Sequence, residues 1–208
     1  MSEHDHDHDE HDHDEHDHEH AHDAPLSDAE ARAEAERLVR KEVALAQIRQ
    51  YGDPVLRMRA ADAESFDEEL ARITGRMTEL MHDADGVGLA ATQIGILRRF
   101  FVCTLDGEDR VLVNPVVTPV GDETETDDEG CLSLGSIRVP IERALRVEVE
   151  ARDTAGEPVS LSLEGLDARV VQHELDHLDG VLLLDRTDAE SRREAIAQIR
   201  PRLVLTSS

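Results

Sequence analysis

Residues 173–177, His173-Glu174-Leu175-Asp176-His177, constrain this chain more than any other stretch. Two imidazoles four residues apart project from one face of a helix, about a turn apart, and can hold the same cation. The segment is embedded in Val170, Val171, Leu175 and Leu178. The helix must therefore bury an apolar face and turn polar ligands inward at the same time. A second match to the pattern, at residues 18–22, has no such face, so a helix there is unsupported. Glu174, beside the first imidazole, is placed as a general base requires: near a bound water without being a ligand.

A catalytic site of this kind uses three protein ligands and leaves one position open. No His or Cys follows His177, so the third ligand comes from upstream. Cys131 is the candidate. It follows Asp127-Asp128-Glu129 and Gly130, whose backbone freedom suits a thiolate turned inward. The other cysteine, Cys103, lies within Phe100-Phe101-Val102 and reads as a small buried apolar residue. Two such cysteines make no disulfide framework.

Around this helix the sequence predicts an α+β domain, with antiparallel or mixed sheets packed on a central metal-binding helix and a further helix at each end. Ser27 and Glu30 have capping-box spacing before an Ala/Glu/Arg-rich helix reaching residue 48. Ser65 and Glu68 repeat that spacing before Phe66, Leu70, Ile73, Met77 and Leu80, one apolar face of a long helix. Runs at 99–105, 111–118, 138–139, 145–151 and 159–163 read as strands, with turns at Asp106-Gly107 and at 153–158. The metal-binding helix spans 166–179 with Gly180 as its stop, and a last helix, opened by Thr187 and Glu190, ends before Pro201.

Residues 1–24 carry nine of the twelve histidines and eleven acidic residues without Lys or Arg, so they read as a disordered tail. It is a solvated acidic tail, a weak divalent-metal binder or an engineered tag. Residues 25–48 form a helical extension and 49–208 the catalytic domain. With 39% hydrophobic residues the chain has enough for a core. The net charge of −26 opposes nonspecific binding to DNA or an anionic membrane, both repelled over about 8 Å at physiological salt. No membrane span or secretory signal is evident, which predicts a cytoplasmic protein.

Three segments, Gly86-Val87-Gly88-Leu89-Ala90-Ala91-Thr92-Gln93, Glu129-Gly130-Cys131-Leu132-Ser133 and Gln172 through His177, resemble the three motifs of the peptide deformylases, in that family's order. Tyr51-Gly52-Asp53-Pro54-Val55-Leu56 is similar to the segment opening the family's catalytic domain. The resemblance covers residues 48–200. It implies removal of the formyl group from the N-terminal formyl-methionine of new proteins by metal-hydroxide attack, releasing formate. It implies Cys131, His173 and His177 as ligands of one Fe2+ per chain, with Zn2+, Ni2+ or Co2+ able to substitute, a choice that fits one thiolate and two imidazoles. It implies Glu174 as general base, with the Gln93 amide and Leu132 backbone N–H stabilising the oxyanion. Gly88 is then a partner for the substrate backbone. Val87, Leu132 and Val170 read either as a pocket for the methionine side chain or as core, and Arg138 either as a peptide contact or as a solvated loop residue. Ser133, Gln172 and Asp176 are expected to orient the ligands.

The partners so implied are formylmethionyl nascent peptides and, transiently, the ribosome. Two rival readings stand beside this one: a zincin-like metallopeptidase, against which the missing downstream ligand weighs, and a noncatalytic metal-storage protein, which needs neither Glu174 nor Gln93.

Overall fold

The computed structural model describes residues 27–205, with side chains through residue 199, so the expectations for residues 1–24 lie outside the described part. The fold is the expected α+β arrangement. Helix α1 (Asp28–Leu45) opens on the capping box read from sequence, with Ser27 Oγ accepting from the Glu30 amide and the Glu30 carboxylate accepting from the Ser27 amide. Helix α2 (Glu68–Asp83) differs from expectation at its start. Asp67, not Ser65, caps it by accepting from the Leu70 amide at 3.0 Å. A carboxylate three residues before that amide satisfies the orphan donor directly, so the capping-box spacing two residues earlier is not used.

Five antiparallel strands form the main sheet in the order β1 (Gly88–Ala90), β2 (Phe100–Leu105), β3 (Glu108–Pro119), β6 (Arg146–Arg152) and β7 (Pro158–Glu164). Strands β4 (Thr124–Gly130) and β5 (Arg138–Ala144) pair separately as an antiparallel ribbon. The sheet is covered on both sides at β2. Phe100 and Val102 join Leu70, Met77 and Met81 of α2 in one core, while Phe101 and Cys103 join a second core with Val171 and Leu178 of α3 (Gly165–Leu178). Side chains alternate across a strand, so a strand buried on both faces must be apolar throughout, which is why this run reads Phe-Phe-Val-Cys. Each fully buried Phe there contributes roughly 1.5–3 kcal/mol. A third core joins Ile137, Val139 and Ile141 to α4 (Leu183–Arg186) and α5 (Ala189–Leu205).

Register slips by a residue between β3 and β6 at Val113/Val116, where Asn114 takes a left-handed backbone with φ 52°. Its side chain uses that geometry to hold Ala63, accepting from the amide at 2.8 Å and donating to the carbonyl at 3.0 Å.

Three expectations are corrected. Strands β1 and β4 give no β signal in sequence, β1 because it is three residues of Gly, Leu and Ala, β4 because Thr-Glu-Thr-Asp-Asp-Glu-Gly is acidic. Only Glu129 of β4 is buried, so five consecutive residues face water without penalty. At α5 the cap is Asp188, which accepts from the amides of Glu190 and Ser191, and the helix runs past Pro201 to Leu205. The buried side chains that anchor α5, Ala195 and Ile199, precede that proline. Among the described residues no helix is long and apolar enough to cross a membrane.

Candidate metal centre

Two elements bring the site together. Helix α3 leaves β7 through Gly165, at φ +61°, and carries His173 and His177 on one face with ring centroids 5.0 Å apart. The β4–β5 pairing, in register from Thr124↔Ala144 to Gly130↔Arg138, delivers the next residue, Cys131, to those rings. Cys131 Sγ lies 3.2 Å from His177 Nε2. One ligand atom from each of Cys131, His173 and His177 fits within 4.8 Å of the others. A turn beyond, closed by the Leu134 amide on the Cys131 carbonyl, points the Ser133 amide at Sγ from 3.4 Å. Gln93 approaches the same sulfur, its Nε2 3.7 Å from Sγ and donating to Ser133 Oγ at 3.1 Å, while its Oε1 accepts from the Ala90 amide.

The donor set fits a divalent cation of borderline softness. Burial alone would raise the Cys131 thiol, but the imidazoles of His177 and His173 outweigh it and hold the thiol well below its ordinary value, toward the thiolate that metal binding needs. Nδ1 of His173 donates to Glu129 Oε2 at 3.0 Å, which leaves its other nitrogen for the centre. Such a carboxylate fixes the tautomer and the ring plane of a ligating imidazole.

Glu129 is itself over-determined. It accepts from Arg143 Nε at 2.9 Å, Arg143 Nη2 at 3.0 Å and Arg169 Nη1 at 2.9 Å. Burial works to raise its carboxyl, yet the bonds from His173 and Arg143 win and hold it at about 2. Arg143 also donates to Asp176 at 2.6 Å, and Asp176 takes two further bonds from Arg186. Removing one partner of such a buried charged group costs more than any single bond in it, because the remainder stays buried and unpaired.

Glu174 is 4% exposed, and its Oε2 has no hydrogen-bond partner in the protein. Burial pushes its carboxyl up, against the pull of His173 and His177. Gly88 is a glycine because of this residue: a Cβ there would overlap the Glu174 carboxylate. Similarly, a Cβ on Gly86 would lie 2.8 Å from Leu132 Cδ1, so the glycines let the β1 loop close on both the base and the Cys131 turn.

A cavity of about 650 Å³ opens over these groups, and every site residue expected from sequence lines it except His177, which lies beyond Cys131. The two readings of the apolar trio divide. Val87 is 55% exposed and belongs to the cavity wall, Val170 is 6% exposed and serves both wall and core, and Leu132 is half-buried against the α2 core. Arg138 is exposed at the cavity, donating to the Asp128 carbonyl at 2.6 Å. Gln172 departs from expectation: it accepts from the Ala144 amide and donates to the Ala144 and Ala168 carbonyls, clamping α3 to the end of β5 rather than orienting a ligand. Ser133 meets Cys131 Sγ through its amide and Gln93 through its hydroxyl, while Asp176 reaches the centre through Arg143.

Glu129, Arg143 and Arg169 were not singled out by sequence reasoning. A signal existed for Arg143, which continues the inward alternation of Val139 and Ile141 along β5. The storage and zincin readings find no support, since the third member of the cluster is Cys131 and a buried carboxylate stands beside it.

Residues 45–193 match the family model for polypeptide deformylase. The chain is 49% identical over 146 residues to a peptide deformylase of Thermotoga maritima, covering 70% of this chain and 89% of the relative. It is 46% identical over 162 residues to peptide deformylase 1 of Corynebacterium efficiens, covering 76% and 96%. The crystal structure of the Thermotoga maritima peptide deformylase superposes with TM-score 0.66 at 50% identity, covering 68% of this chain and 96% of that one. A Synechococcus elongatus peptide deformylase in complex with actinonin superposes with TM-score 0.70 at 39% identity, covering 73% and 84%.

Proposed function

This chain belongs to the polypeptide deformylase family, and from that membership we propose a division of labour among the residues around its metal centre. The reaction is removal of the formyl group from N-terminal formyl-methionine, releasing formate and a free amine. Cys131, His173 and His177 hold one divalent ion, natively Fe2+, with Zn2+, Ni2+ or Co2+ able to take its place. When bound, that ion supplies a Lewis acid that polarises the formyl carbonyl and lowers the pKa of water.

The remaining work falls to the protein. Glu174 takes a proton from the attacking water at Oε2, the oxygen that no protein group occupies. It returns the proton to the amine nitrogen as the carbon–nitrogen bond breaks. Gln93 Nε2 and the Leu132 N–H donate to the formyl oxygen as negative charge gathers there. Gln93 is held beside the centre by its bond from the Ala90 amide, and one Nε2 hydrogen turns from Cys131 Sγ or Ser133 Oγ to the formyl oxygen. Gly88 offers its backbone to the peptide, Val87, Leu132 and Val170 receive the methionine side chain, and Arg138 meets the peptide beyond it.

Formylmethionyl nascent chains are the substrates, met during transient contact with the ribosome in the cytoplasm. Residues 49–208 form the catalytic domain, 25–48 a helical extension and 1–24 a tail.

The observation that carries this reading is Glu174, a buried carboxylate with a free oxygen beside the Cys/His/His cluster. Anaerobically prepared Fe2+ protein should release formate from formyl-Met-Ala-Ser. The Glu174→Gln variant should keep its metal and lose roughly 10²–10⁴-fold in rate. A metal-loaded parent that releases no formate refutes the proposal.

A further inference from the structure

The cavity over the metal cluster does not end at residues of the matched family region. Its outer wall includes Lys41 and Leu45 of α1, and all of α1 before residue 45 precedes the family match. One face of the helix is turned this way: Arg37, Lys41 and Leu45 recur at intervals of four. Two anchors hold it. Ala44 is fully buried and Leu45 packs against the α2 core. Arg37 Nη1 and Lys41 Nζ both donate to Oδ2 of Asp85, at 2.7 and 2.9 Å.

Asp85 is not an arbitrary partner. It sits at φ 56°, immediately before Gly86-Val87-Gly88, the loop that forms the cavity's inner wall. α1 is therefore tied to the same loop that closes on Glu174.

Two cations share one oxygen of Asp85, and Arg37 is also paired with Glu34. Lys41, paired with Asp85, keeps two further N–H donors, since an ammonium has three. Elsewhere on the cavity wall stand the acidic side chains Asp85, Asp127, Asp128, Glu129 and Glu174 and the basic Arg138 and Arg169. Among the described residues, the ammonium on α1 is the one charge there contributed from outside the matched region.

We infer that α1 is the outer wall of the peptide cleft and that Lys41, flanked by Leu45, reads the residues following formyl-methionine, favouring an acidic side chain over a basic one. The inference rests on the deformylase reading of the cavity. The continuity of one cavity from Cys131 and Glu174 to Lys41 makes the peptide itself the occupant.

The test compares kcat/KM for formyl-Met-Ala-Glu-amide and formyl-Met-Ala-Lys-amide, in the Fe2+-loaded full chain and in its Lys41→Gln and Lys41→Arg variants. The Glu/Lys ratio should fall by about threefold in Lys41→Gln, the size of a partly exposed ion pair, and be kept in Lys41→Arg. An unchanged ratio in Lys41→Gln overturns the inference while leaving deformylation intact. An equal fall in both variants assigns the effect to a displaced helix and also overturns it. No formate from either peptide with the parent overturns this inference and the proposed function together.

Discussion

Glu129 and His173 meet through a single 3.0 Å bond between carboxylate and Nδ1, and the carboxylate's other bonds go to Arg143 and Arg169. The ring plane of a proposed metal ligand is thus set by a group that two arginines hold in place.

Replacing Glu129 by Gln keeps the shape and removes the charge. Metal affinity should fall roughly 10- to 100-fold, the usual cost of losing an outer partner of a ligating imidazole. A competitive chelator titration measures it. Unchanged affinity would mean that the helix alone orients His173.

The same carboxylate predicts an acid-labile stability in metal-free protein. Its folded value of about 2 lies below its ordinary 4.5, so its contribution is fully present above the ordinary value and is lost as pH falls toward 2. The shift corresponds to about 3 kcal/mol. Urea unfolding of chelator-treated parent and Glu129→Gln should show the stability gap between them narrowing as pH falls from 5 to 2. A gap independent of pH would contradict the assignment.

Gly88→Ala sets a methyl against the Glu174 carboxylate. The glutamate must swing away, so kcat should fall by about tenfold or more while metal content stays at one ion per chain. Metal analysis beside formate release checks both. Full activity would show that Glu174 has room the structure does not give it.

Asn114→Ala removes both bonds to Ala63 and leaves a residue with a Cβ but no compensating amide at φ 52°. Stability should drop by about 2 kcal/mol, from unsatisfied polar groups and backbone strain. The urea midpoint reports it, and Asn114→Gly should recover only the strain.

Much of this was legible before the structure. The two imidazoles on α3, Cys131 after Gly130, and Gln93 after a pair of glycines follow from local spacing, and local spacing survives folding. What stayed hidden depends on pairing between distant segments. Glu129 looks like one more acidic residue after Asp127 and Asp128 until β5 is laid beside β4 and Arg143 and Arg169 reach it. Gly88 reads as freedom for a substrate backbone, whereas its tightest neighbour is Glu174, 86 positions later in the chain. The Ser65–Glu68 spacing failed for a local reason: Asp67 offers a better acceptor closer to the helix.

Cys131 and His173 lie on either side of β5, β6 and β7 in the chain. An ion gripped by both therefore closes a long loop, as a covalent cross-link would, and draws on the same chain entropy. To the extent that it binds the folded form over the unfolded one, each tenfold rise in free metal above its dissociation constant adds up to about 1.4 kcal/mol against unfolding. Supply of the divalent metal would then set the folded fraction of the protein as well as its capacity for turnover.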